Sequence, residues 1–228
     1  MNSLIIKELI FVLLVNCLIF QNITVGIIIT VASWIKSFKQ KAVSDVWNVD
    51  LITAHKHLPL LGSIMFCGPT RSWKKSEMAF EGMETHVKLI FATAIFGIVT
   101  GSESFYIAAF VMLGVNLFNL LVCMYPNDGA YMLENVCSRR SLECFGWIMF
   151  SLLASFLIYK TQSFILVGLA ILEIRIFLKS RFAVGKYIIV ETVPVKDKLC
   201  RLVSWLTYII VHLTLLSGLL VWKYKTSP

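Results

Sequence analysis

Met124-Tyr125-Pro126-Asn127-Asp128-Gly129-Ala130-Tyr131 closes residues 105–125, Phe-Tyr-Ile-Ala-Ala-Phe-Val-Met-Leu-Gly-Val-Asn-Leu-Phe-Asn-Leu-Leu-Val-Cys-Met-Tyr, a run with no formal charge. A helix needs about 20 apolar residues to cross a bilayer core, so this run predicts a membrane helix that ends at an acidic turn. Pro126 fixes its own φ, Asn127 and Asp128 bond back to the backbone, and Gly129 accepts a positive φ. Two readings of Asp128 follow. It is an interfacial turn residue, or it is a carboxylate held at the membrane boundary to bind something, because ionisable groups at that depth are costly and are often functional.

Composition decides the class around this stretch. The 228 residues are 58% hydrophobic and 15% charged, against roughly 25% charged in soluble domains. Mean hydropathy is +0.80. An all-α polytopic membrane protein in the cell membrane is expected, with membrane lipids as its surroundings. The net charge of +8 does not point to nucleic acid, because the basic residues sit in loops between apolar runs. Six cysteines, at 17, 67, 123, 137, 144 and 200, include no Cys-x-x-Cys pair and read as small apolar residues.

Working outward, Leu9–Ile35 is uncharged and reads as one tilted helix, too long for a signal peptide and without a small-x-small cleavage site. Halves of ~12 residues, broken at Asn16, Gln21 and Asn22, would be too short to span. Residues 1–36 therefore form the first membrane helix, and 37–86 a cytoplasmic or interfacial segment. Within it Val46–Thr53 and Leu58–Phe66 predict a β-hairpin, followed by a polar helix over Ser72–Glu84. Residues 87–178 supply the membrane core: Val87–Thr100, the run ending at Tyr125, and the helical hairpin Cys144–Tyr159 with Ser163–Leu178. Residues 179–228 are a basic loop and a last span, Leu202–Trp222, anchored by Trp222-Lys223-Tyr224-Lys225. Glu173 and Arg175, two residues apart on one helix, do not face each other and are expected to snorkel to the interface.

Eight lysines and arginines lie between Lys36 and Lys88, two in the Asp128 loop and six from Lys179 to Arg201, against none in Gly101–Ser104 and one, Lys160, in the next connection. Six spans with the three basic loops in the cytoplasm satisfy that bias.

The order of features resembles the site-2 protease family of intramembrane metallopeptidases, in its compact bacterial sporulation and peptide-maturation forms. The likeness covers about Leu9 to Leu178 and rests on Leu58-Pro59-Leu60-Leu61-Gly62 and on Asn119-Leu120-Leu121 with Pro126, Asp128, Gly129 and Tyr131. The resemblance implies Asp128 as a zinc ligand, Asn119 as a supporting polar group, and a substrate-facing strand over Leu58–Phe66 that includes Leu60 and Gly62. It also implies a membrane peptide or membrane protein as substrate. His-Glu-x-x-His, which supplies the family's other two ligands and its base, is missing: the residues after the four histidines are Lys56, Leu58, Val87 and Leu213. The motif's usual proline is Val122. No catalytic residue is therefore assigned, and zinc is expected only at a non-standard site of Asp128 with His55 and His57, which would share a face of a strand. Cys67 with either histidine is a cysteine-nucleophile alternative. His86 reads as interfacial and His212 as a hydrogen-bonded core residue. The function expected is a degenerate site-2-protease-like protein that binds or acts on a membrane or small secreted peptide; the alternative is a non-enzymatic accessory, immunity or permease subunit of a peptide export system.

Overall fold

A computed structural model describes residues 3–46, 51–53, 64–66, 70–125, 127–134, 136–162, 164–184, 188–189 and 194–226. Eight helices dominate it: α1 (Ser3–Phe20), α2 (Ile23–Val46), α3 (Ser72–Thr100), α4 (Glu103–Leu121), α5 (Asp128–Leu133), α6 (Arg139–Thr161), α7 (Phe164–Val184) and α8 (Val195–Thr226). Four of them are long and apolar enough to cross a membrane, namely Ser76–Thr100, Glu103–Leu121, Arg139–Lys160 and Val195–Tyr224. Among the described residues, the segments between helices hold short ladder fragments. Leu51–Thr53 pairs antiparallel with Ile64–Phe66, and Thr70–Arg71 pairs parallel with Ile188–Ile189. Residues 54–63, which hold the expected turn and most of the expected substrate-facing strand, lie outside the described residues.

The first apolar run is not one helix. It breaks at Gln21, whose φ of 49° is left-handed, and α2 turns back along α1. The polar residues that interrupt the run make this hairpin. Asn22 accepts a hydrogen bond from the Val25 amide (3.1 Å) at the start of α2, and Asn16 donates across the interface to Thr30 Oγ1 (2.9 Å). Gly26 lets the helices touch: a Cβ there would stand 2.6 Å from Cys17 Sγ. The single-helix expectation counted only uncharged residues. The helices run on through the flanking charges, so α1 has 18 residues and α2 has 24.

Buried residues recur at helical spacing on each central helix: Val25, Ile29, Ala32 and Lys36 on α2; Ala79, Met83, His86 and Ile90 on α3; Ala109, Met112, Asn116 and Leu120 on α4; Trp205, His212 and Leu219 on α8. These stripes build two apolar cores. One gathers Met83, Leu120, Ala130, Tyr131 and Trp205. The other gathers Ile29, Ala32, Ile90, Met112, Leu113 and Leu219. On α3, α4 and α8 a polar residue sits between the two cores: His86, Asn116 and His212. A polar layer thus crosses the middle of the bundle. The α6–α7 pair forms a third, peripheral core around Phe150 and Phe177 against Val122 and Met124. Glu173 does not snorkel, being buried on α7, whereas Arg175 is exposed.

Candidate functional site

The acidic turn is folded into the protein. Val122 ends α4, its amide bonded to Phe118 O (2.8 Å), and the chain reverses through Cys123–Asn127. Asn127 ties the reversal together: its amide bonds to Met124 O (2.8 Å) and its side chain donates to Val122 O (3.0 Å). Asp128 then opens α5, all six residues of which are buried. Gly129 is helical, so the positive φ expected for it is corrected. Glycine is needed there for close approach, since a Cβ would lie 2.3 Å from Leu120 O at the end of α4. Trp205 Nε1 of α8 donates to that same carbonyl (3.0 Å), which fixes three elements at one atom.

Asp128 is not an exposed interfacial turn residue. Its Oδ2 accepts a 2.6 Å hydrogen bond from Lys36 Nζ of α2, with side-chain exposures of 4% and 1%. Lys36 lies at the end of the buried stripe of α2, one turn beyond the buried Ser33. Two opposite charges this deep hold only because they meet. Each costs several kcal/mol to dehydrate, and removing one partner leaves the other uncompensated.

Beside the ion pair, three helices are joined by side chains alone. His86 Nδ1 of α3 lies 2.5 Å from Asn116 Oδ1 of α4, Asn116 Nδ2 lies 3.1 Å from His212 Nε2 of α8, and His212 Nδ1 lies 2.6 Å from Tyr208 O. The acceptors at each end assign the protons. Tyr208 O and Asn116 Oδ1 can only accept, so each histidine carries its proton on Nδ1, and the Asn116 amide donates to the lone pair of His212. That leaves His86 Nε2 as a buried acceptor with no hydrogen-bond partner among the described residues. The field of the Lys36 ammonium reaches both imidazoles, so ion pair and relay form one electrostatic unit. Such a unit can orient a hydrogen-bond donor at His86 and can clamp a carboxylate to an ammonium. His86 is therefore buried inside the protein, and His212 is buried and hydrogen-bonded as expected.

Of the residues the sequence singles out, Asp128 and Asn119 come together: Asn119 is buried on α4, and its carbonyl is 3.0 Å from where a Gly129 Cβ would stand. His55, His57, Leu60, Gly62 and Cys67 lie outside the described residues. Among the described residues no group of three or more His, Cys, Asp or Glu side chains is placed to hold a metal ion. A zinc ion does not fit at Asp128 as it is arranged, because a lysine ammonium already occupies its carboxylate. A thiol nucleophile is not offered at the turn either: burial pushes Cys123 up to about 12. Burial, with the Glu134 carboxylate beside it, also raises the Tyr125 phenol above its usual range, and its ring meets Tyr131 edge-on at 5.1 Å.

Sequence reasoning missed Lys36, which reads as a flanking cytoplasmic charge, and also His86 and Asn116. The signal was there in the periodicity. Lys36 continues the apolar stripe of Val25, Ile29 and Ala32, and a charge on the apolar face of a helix needs a partner. Comparisons with models of protein families, with characterised proteins and with solved structures gave no match.

Proposed function

We propose that this chain is a multi-pass protein of the cell membrane on a site-2-protease-like scaffold, in which a lysine ammonium replaces the metal, and that it binds a membrane or small secreted peptide without acting as a standard zinc protease. The observation that carries this reading is the pair Lys36–Asp128. The acid of the Asn-Leu-Leu…Pro-x-Asp-Gly stretch reaches back to α2, the helix that holds the place of the metal-binding helix in the resemblance, and meets a cation there. The order of elements supports it: α2, the Leu51–Thr53 and Ile64–Phe66 pairing, α3, then α4 leading into the acidic turn. An ammonium balances the carboxylate but is no Lewis acid, and no His-Glu-x-x-His supplies a base. What the resemblance keeps is peptide recognition, for which it implies Leu60 and Gly62 as substrate-facing residues. Six crossings fit the charge bias: α2, α3, α4, α6, α7 and α8, with α1 folded back along α2.

The test is a photo-crosslinking amino acid at Leu60 or Gly62 in cells, with metal analysis of the purified protein. Peptide-sized adducts, lost in Asp128→Asn after normalisation to the amount of protein in the membrane, and no stoichiometric zinc are the expected results. Zinc that is lost on His55→Ala or His57→Ala would overturn the reading in favour of a rebuilt metal site. The buried polar layer favours a second reading, an accessory or permease subunit of peptide export. Adducts to a large membrane protein in place of a peptide would mark that case.

A further inference from the structure

A groove runs between α3, α4 and α8 beside the second apolar core, far along the chain from the ion pair. Ile90, Ala94, Ile98, Leu113, Leu215 and Gly218 line it, with Trp222 at one end, and it is a half-open groove with about 200 Å³ of accessible space. Its one hydroxyl is turned away, since Thr214 Oγ1 donates to Ile210 O of its own helix (2.8 Å). The groove therefore offers hydrocarbon only, which suits neither water nor a polar solute.

Its size selects among apolar occupants. A helix 10–12 Å across fills roughly 400 Å³ per turn, so a partner helix cannot seat a whole turn in it. A single acyl chain can. Gly218 makes the room: a Cβ built there meets nothing within 4 Å. At the Trp222 end the lining changes character. Trp222 packs on Tyr106 with centroids 5.4 Å apart, and Lys223 Nζ lies 5.7 Å from the Tyr106 ring. Lys223 also bonds to Glu103 (2.9 Å) at the surface, where its side chain is 45% exposed. An aromatic rim that carries the half-exposed Lys223 ammonium above a hydrocarbon slot is the complement of a lipid phosphate above its chain.

We propose that this groove is a site for one anionic phospholipid, an acyl chain lying against Gly218 and the phosphate at Lys223. It does not depend on the peptide-binding reading. The test uses purified, delipidated protein titrated with phosphatidylglycerol and with phosphatidylcholine of matched chains, followed by native mass spectrometry. Wild type is expected to retain one phosphatidylglycerol in preference to phosphatidylcholine. Gly218→Leu should weaken both about tenfold, with Gly218→Ala in between, and the open space around Gly218 keeps the fold intact, which an unchanged melting temperature would verify. Lys223→Gln should abolish the headgroup preference and keep chain binding. Unchanged affinity of either lipid for Gly218→Leu overturns the site. Equal binding of the two lipids by wild type overturns the headgroup assignment.

Discussion

Substituting Lys36 or Asp128 singly and together measures what the buried pair contributes. At 2.6 Å the Coulomb attraction is about 6 kcal/mol for an effective dielectric near 20. Dehydrating both charges cancels most of this, so the pair adds little net stability. Breaking it is another matter, because each single variant leaves a bare charge at 4% exposure or less. Lys36→Met and Asp128→Asn should each cost about 3–5 kcal/mol. For a chain of this size that lowers the melting temperature in detergent by roughly 6–20 °C. Asp128→Asn is the sharper probe, since asparagine supports the same turn and keeps an acceptor; only the charge goes. The double variant Lys36→Met with Asp128→Leu removes both charges at similar volume and should melt within a few degrees of wild type, or above it. With Asp128→Leu also measured singly to close the cycle, the coupling between the sites would then approach the sum of the two single losses. Two results would refute the reasoning: an unchanged melt for Asp128→Asn, or a double variant that loses the sum of the two singles.

Gly129→Ala should destabilise by ~1–3 kcal/mol, because its Cβ would press on Leu120 O, which also holds Trp205; Gly218→Ala serves as the neutral control in the same melts. Cys123 should resist maleimide at pH 7 to 8, where a thiol pushed up to about 12 is almost wholly protonated, whereas Cys137, exposed in the loop before α6, should react; labelling of Cys123 in the native protein by mass mapping would contradict its burial. Cysteines placed at Ser102 and Ser138 should label from opposite faces of the membrane, because a single apolar helix, α4, separates the two loops before the short buried α5.

The apolar runs were legible because a bilayer demands length and hydrophobicity, and both are visible in one dimension. The runs 105–125, Cys144–Tyr159 and Leu202–Trp222 follow from that alone, and they fall on the helices Glu103–Leu121, Arg139–Lys160 and Val195–Tyr224. The Leu9–Ile35 run misled because charge was used to set its limits. Lysine near the end of a helix reads as a loop anchor unless its angular position is checked, and Lys36 sits on the inner face. Asp128 could be nominated from its motif, but its partner is a residue type that the motif does not expect. The His86–Asn116–His212 layer was out of reach for a different reason. Each residue is an isolated polar substitution in its own helix, and only packing of α3, α4 and α8 brings them together. Gly129 was flagged as necessary, with the wrong geometry: a turn sequence suggested dihedral freedom where the fold requires the absence of a side chain.

Lys36 and Asp128 are 92 positions apart. On the ribosome, elongation at about 5–20 residues per second makes the lysine wait roughly 5–20 s for its acid. During that interval α2 carries an uncompensated ammonium on the face meant for its neighbours, and a charge within a membrane helix resists insertion by a few kcal/mol. The hairpin with α1 is already available to hold α2 in place, whereas the final depth of α2 waits for the α4–α5 turn. A nascent chain arrested at Leu121 should therefore hold α2 closer to the surface than the full chain does, a difference that glycosylation mapping of its flanks would register. Chains that never join the two charges keep a visible mark for membrane quality control, so variants at this pair should be recognised by proteases as well as by calorimeters.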